Sequence, residues 1–281
     1  MRYKDFLVVV DGKSSNSKCL DAAIRLAETF EAHLSTLLMV PEPANPVVAG
    51  VPMPAEILAE QREQFERSAA ETLAAVRERG ERAGVSLELR KETAMYELWA
   101  DRLARQGRHA DLTIIAQPDP DDDFASEHTV MIEAAFMQTG RPALVIPYIG
   151  PRNLPPERVT VCWDGSREAA RAMHDSLPFL ENARETTLLI VNPEKLGAAV
   201  GELPGADVAA HLARHGINVE IRTIASGELS PGDAILGEAS DQGTDLLVMG
   251  GYGHSRLREM VLGGVTRRIT ETMIVPVLLS H

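Results

Sequence analysis

The residues best suited to chemistry lie in one stretch near the carboxy terminus, MGGYGHSRLREMVLGGVT, from Met249 to Thr266. Gly250, Gly253, Gly263 and Gly264 punctuate it with the spacing Gly-x2-Gly-x9-Gly. Glycines directly after a buried strand allow positive φ and let the backbone approach a ligand closely. A helix opening near Gly263 and Gly264 would present free N–H groups and the positive end of its dipole, a combination that suits phosphate. Thr266 adds a hydroxyl on the first turn. His254, Arg256, Arg258, Arg267 and Arg268 bring positive charge to a chain whose net charge is −13. The plainer reading of Gly250 and Gly253 is a tight turn, and that of Arg267 and Arg268 is a solvated helix face.

A second feature accompanies this stretch. Asp164 ends an apolar run, VTVCWDGS, and a carboxylate there could accept hydrogen bonds from ribose hydroxyls. The competing role for Asp164 is N-cap of a helix opening at Ser166. Trp163 stands beside it, and Val191 ends another apolar run, where it would line a slot for a base.

These residues need a scaffold, and the chain supplies it twice. FLVVVDGKS (Phe6 to Ser14) resembles VTVCWDGS (Val159 to Ser166), so Asp11 pairs with Asp164. ADLTIIAQ (Ala110 to Gln117) resembles TDLLVMGG (Thr244 to Gly251), and RPALVIP resembles VPVLLS near the end of each half. Strands are expected at 6–10, 34–40, 85–91, 111–116 and 143–147, then at 158–163, 186–191, 217–224, 245–249 and 274–279. Helical periodicity covers Ser17 to Phe30, Glu56 to Ala83 and Tyr96 to Gln106. Runs such as LTIIA and LLVMG are apolar at every position, as strands buried on both faces of a parallel sheet require. Alternating β and α segments with right-handed crossovers give an α/β fold: two tandem doubly wound domains, 1–150 and 151–281, each with a five-stranded parallel sheet in the order 3-2-1-4-5. Ligands bind such sheets beyond the strand C-termini, where the order reverses. Gly150 to Pro156 is the expected linker.

Asp164 followed by Met249-Gly250-x2-Gly253-x9-Gly263 resembles the universal stress protein family in its tandem two-domain form, a resemblance that covers nearly the whole chain. It implies a five-stranded fold of the adenine nucleotide alpha hydrolase-like type and a site for ATP, or AMP or ADP, with Mg²⁺. Residue by residue, it places that site on Asp164, Val191, Met249, Gly250, Gly253, Gly263, Gly264, Val265 and Thr266. The family usually carries Ser or Thr directly after the last glycine. Gly264 occupies that position here, so a hydroxyl contact is lost while the backbone N–H remains. The resemblance implies no catalytic residue.

In the first half the matching stretch, AQPDPDDDFASEH, has no glycine. Pro118 and Pro120 remove two N–H donors. Asp119, Asp121, Asp122 and Asp123 put negative charge where phosphate would lie. Nucleotide is therefore expected in the second half alone. No metal site is expected: the acidic run reads as a solvated loop, and His211 and His215, four residues apart, read as a surface helix despite a ligand-like spacing. His174 reads as structural.

The acidic balance opposes nonspecific binding to nucleic acid or to an anionic membrane. No apolar run reaches the ~18–20 residues of a membrane span, and the amino terminus leads straight into a strand-like run rather than a secretory signal. Two cysteines, Cys19 and Cys162, build neither a disulfide framework nor a zinc pattern, which points to a reducing cytoplasm. Strands 143–147 and 275–279 would leave open sheet edges, which must be covered. The resemblance suggests that the two halves pack through them as an internal pseudo-dimer, with further homodimerisation open. The functional expectation is a stress-response protein whose carboxy-terminal domain senses adenine nucleotide. The alternatives are a slow ATPase using the same pocket, for which Glu259 is the nearest acid, and a ligand-free interaction scaffold.

Overall fold

The computed structural model describes residues 2–11, 14–43, 47–48, 51–52, 54–119, 125–197, 203–251 and 264–281. The first half runs β1 (Asp5–Val10), α1 (Ser14–Phe30), β2 (His33–Pro41), the two-residue strands β3 (Val47–Val48) and β4 (Val51–Pro52), α2 (Ala55–Ala83), β5 (Leu87–Ala94), a 3₁₀ turn at Tyr96–Leu98, α3 (Trp99–Gly107), β6 (Leu112–Ala116), α4 (Ala125–Met137) and β7 (Ala143–Ile146). The second half runs β8 (Arg158–Cys162), α5 (Arg167–Leu180), β9 (Glu185–Val191), α6 (Pro193–Leu196), α7 (Ala206–Arg214), β10 (Glu220–Ile224), α8 (Pro231–Asp241), β11 (Leu246–Gly250), α9 (Gly264–Thr272) and β12 (Val277–Ser280).

Each half has the expected order: β5-β2-β1-β6-β7 in the first and β10-β9-β8-β11-β12 in the second, all neighbours parallel within a half. The two sets do not stand as separate sheets. β7 and β12 pair antiparallel, with Val277 opposite Val145, Leu278 opposite Leu144 and Leu279 opposite Ala143, so ten strands form one sheet. Both strands are buried at every residue. Pairing them satisfies backbone groups that an open edge would leave to solvent or to another chain.

The wholly apolar strands are sandwiched as their composition requires. Along β1, Phe6, Val8 and Val10 join the core on one face of the sheet, while Leu7 and Val9 join the core on the other. Residues of α1, α2, α5 and α7 pack on the first face, and residues of α3, α4, α8 and α9 on the second. Strand bounds shift by a residue or two from expectation, with three-residue shifts at the end of β5 and at the starts of β10 and β12. β10 and β12 begin three residues later than the apolar runs suggest, because Ile217 and Val275 are buried as lead-in residues outside the ladder. Where the halves meet on the first face, Tyr3, Phe6, Phe30 and Phe179 form an edge-to-face cluster with centroids 5.5–5.9 Å apart. The Tyr3 hydroxyl donates to the Asp175 carbonyl across that junction.

Candidate functional site

A cleft of about 440 Å³ opens at the C-terminal ends of β8, β9 and β11, where the strand order of the second half reverses. Its floor is apolar: Cys162, Leu189, Val191, Ile235 and Met249. Three helix N-termini reach it, through Ser166 before α5, Pro231 at the start of α8 and Gly264 at the start of α9. Each brings the partial positive charge of a helix start to the same side of the sheet. Among the described lining residues, Asp164 and Lys195 carry the formal charges.

Local sequence explains how the walls are held. The Ser166 hydroxyl accepts from the Ala169 N–H at 3.1 Å and caps α5. The Asp164 carboxylate accepts from the Ser166 N–H at 2.9 Å. Asp164 is therefore not the cap itself, as its spacing allowed: it fixes the turn that presents the cap and still lines the cleft. Asn192, left-handed at φ 51°, ties the ends of β9 and β10 together. Its side-chain amide donates to Ser226 Oγ, and its Oδ1 accepts from the Ser226 N–H, both at 2.9 Å. That clamp sets where Val191, Lys195 and Leu196 stand.

Of the residues singled out from the sequence, Asp164, Val191, Met249, Gly250, Gly264, Val265 and Thr266 all line this cleft. Gly253 and Gly263 lie outside the described residues, as do His254, Arg256, Arg258 and Glu259. Gly250 has a packing reason besides any ligand. A Cβ there would fall 2.5 Å from the Glu168 carbonyl carbon and 2.6 Å from the Ala169 nitrogen, so β11 needs glycine to pass the first turn of α5. Arg267 and Arg268 do not face the cleft as clamps. They pair at 2.7 Å with Glu271 and Asp233 respectively, both at exposed positions.

Cys162, Leu189, Asn192, Lys195, Pro231 and Ile235 were not singled out. Ser230-Pro231 with Asp233 is a helix-start signal, and the Ser230 hydroxyl accepts from the Asp233 N–H at 3.1 Å. In a doubly wound sheet such a start opens on the strand ends, so α8 was discoverable from sequence. Burial pushes the Cys162 thiol up to about 12, with the nearby Asp164 carboxylate acting in the same direction.

The matching place in the first half encloses only about 30 Å³. Val9, Asp11, Ile115 and Ala116 stand where Cys162, Asp164, Met249 and Gly250 do, but Met39, Trp99, His128 and Met131 crowd the space. Met131 takes the place of Val265, at the same 134-residue offset as Ile115 from Met249. The Trp99 indole is locked by donating to the Ala94 carbonyl at 3.0 Å. Asp11 and His128 approach to 4.0 Å. The sequence offered three reasons there: the missing glycines, Pro118 and Pro120 without N–H donors, and the acidic run. The structure adds the bulk of Met39, Trp99 and Met131, while Asp121, Asp122 and Asp123 lie outside the described residues.

His174 on α5 joins His211 of α7 and His215, which caps that helix, in one cluster, with ring centroids 4.9–6.4 Å apart. Burial, His215, His174 and Arg214 together lower the His211 pKa. Among the described residues, no group of three or more His, Cys, Asp or Glu is placed to hold a metal ion, and no helix is long and apolar enough to cross a membrane.

Residues 156–281 match the family model of the universal stress protein family. Over 62 residues the chain is 40% identical to universal stress protein YxiE of Bacillus subtilis (strain 168). That match takes in 22% of this chain and spans 40% of the relative's length. The structure resembles that of a universal stress protein from Archaeoglobus fulgidus DSM 4304, with TM-score 0.71, 16% identity, and 98% and 97% of the two chains covered. A functionally unknown protein from Pseudomonas aeruginosa PAO1 gives TM-score 0.56 at 13% identity, covering 99% and 92%. At these identities the two structural likenesses are likenesses of fold.

Proposed function

Because residues 156–281 match the universal stress protein family model, we propose that the chain is a stress-response module of that family that binds ATP, or AMP or ADP, with Mg²⁺, in one of its two domains. The domains divide as 1–150 and 151–281, associate through β7 and β12 as an internal pseudo-dimer, and leave the first without a nucleotide site. The observation that carries this reading is the contrast between two equivalent places in one fold, about 440 Å³ in the second half and about 30 Å³ in the first.

The chemistry of the larger cleft suits the parts of a nucleotide. The apolar slot of Val191, Ile235 and Met249 takes a flat base. Asp164 stands at the rim as an acceptor for ribose hydroxyls. The converging N-termini of α5, α8 and α9 favour the anionic end. Binding would hold the start of α9 in one conformation, which gives the ligand leverage over the surface α9 presents.

Titration calorimetry with ATP and Mg²⁺ tests the reading. The expected result is one site per chain. Asp164→Asn should weaken it by about tenfold, the loss of roughly 1.5 kcal/mol of hydrogen bonding to a charged acceptor. Val191→Trp, which fills the slot, should abolish it. Two sites per chain, or full affinity in Val191→Trp, would overturn the assignment to this cleft. No heat with ATP, ADP or AMP would overturn nucleotide binding itself.

A further inference from the structure

We propose that the cleft of the carboxy-terminal half is completed from behind by the amino-terminal half, with Phe136 and Gln117 as positioning residues for Gly251 and for α9. The inference rests on the nucleotide reading above for its consequence, but its geometry stands independently of any ligand.

Gly251, the residue after β11, lies against Phe136 of α4 so closely that a Cβ at 251 would fall 2.4 Å from Phe136 Cε2. Phe136 is 1% exposed and shares its core with Met249, Ile269 and Met273 of the second half. The backbone at 251 is also held on its other side. Its N–H donates to the Ser280 carbonyl at 2.8 Å, and the His281 ring lies 3.2 Å from its carbonyl. α9 is tethered by Gln117, 2% exposed, which directly follows β6. Gln117 Nε2 donates to the Thr270 carbonyl of α9 at 2.9 Å, and its Oε1 accepts from the Tyr148 N–H at 3.2 Å. Thr270 in turn donates to the carbonyl of Thr266, one turn back, and Thr266 lines the cleft.

These two tethers are one contact seen twice. Gly251 and Thr270 stand 134 residues after Gln117 and Phe136. The Gln117 N–H donates to the Ile146 carbonyl at 2.7 Å just as Gly251 donates to Ser280, again 134 residues on. In the pseudo-symmetric arrangement, the residue after one half's fourth strand meets the last helix of the other half. The first half contributes the large partners, Gln and Phe, and the second half contributes Gly and Thr. Both sets of contacts therefore fix the backbone of the half that carries the open cleft. A ligand that orders Gly264 to Thr266 must be linked through Thr270 to Gln117 and Tyr148, and linkage of this kind is reciprocal.

Gln117→Met keeps the volume and removes both side-chain hydrogen bonds. Phe136→Leu trims the contact at Gly251 while keeping it apolar. The full chain is used for each, with hydrogen exchange read over 143–150 and 264–273 and ATP–Mg²⁺ affinity read by calorimetry. In the wild type, saturating ATP should slow exchange at the Tyr148 amide. Gln117→Met should lose that protection, exchange faster over α9 without ATP, and bind ATP about fivefold more weakly. Phe136→Leu should weaken ATP by a smaller factor and leave the protection at Tyr148 in place. A folded Gln117→Met protein with unchanged α9 exchange and unchanged affinity would sink the proposal. If the wild type binds no nucleotide, the function above fails by itself, and the α9 exchange of Gln117→Met without ligand still decides whether Gln117 positions α9.

Discussion

Replacing Gly264 by serine restores the hydroxyl that the family pattern carries directly after its last glycine, and the structure makes the outcome calculable. Among the described residues, a Cβ at position 264 meets nothing within 4 Å, and the residue is not in the left-handed region, so the added atoms strain neither those neighbours nor the backbone. Gly264 is the first residue of α9 and lines the cleft beside Val265 and Thr266. Two gains follow. Removing glycine from the helix start reduces the freedom of the unfolded chain, worth about 0.5 kcal/mol. A hydroxyl donating to an anionic phosphate oxygen is worth about 1.5 kcal/mol, or roughly tenfold in Kd. The assay is calorimetry with ATP and Mg²⁺ on the wild type, Gly264→Ser and Gly264→Ala. The alanine variant supplies the Cβ without the hydroxyl. Gly264→Ser should bind about tenfold tighter, with Gly264→Ala close to wild type. Equal affinities for the serine and alanine variants would refute the placement of phosphate at the start of α9, and weaker binding in both would mean that the ligand needs the bare backbone.

Leu144 is fully buried in β7 opposite Leu278, so Leu144→Ala should lower unfolding stability by about 2–5 kcal/mol, read by urea denaturation; a change under 1 kcal/mol would contradict the shared sheet. His211 has its folded pKa lowered, chiefly by burial and then by His215, so the unfolded chain binds the proton more readily. Stability should be full above about pH 6.5 and decline as pH falls from there through the lowered folded value, and thermal melts should show this slope flattened in His211→Gln. With its thiol near 12, Cys162 should react with iodoacetamide at pH 7.5 on the order of a thousandfold more slowly than a free cysteine, and labelling at the free-thiol rate, followed by mass spectrometry, would show the floor of the cleft to be open and polar.

The alternation of apolar strands with amphipathic helices, and the repeat of landmarks such as Asp11 with Asp164, were enough to write the order 3-2-1-4-5 for each half and to bring Asp164 and Val191 to one cleft, while Met249 was placed there only by the family resemblance. That works because burial on both faces leaves a strand no polar positions, and because connection handedness restricts the order. Three matters needed the tertiary structure. The antiparallel register of β7 on β12, a pairing the resemblance suggested without its register, depends on two edges meeting in space, which no local pattern encodes. The closure of the first half's site depends on where Met39, Trp99 and Met131 point. Their apolar character reads the same whether they fill a core or a cleft. The reason for glycine at 250 and 251 lies in the backbone of α5 and the ring of Phe136, partners about 80 to 115 residues away in the chain. Sequence periodicity reports which face of an element is buried, and only the assembled molecule reports against what.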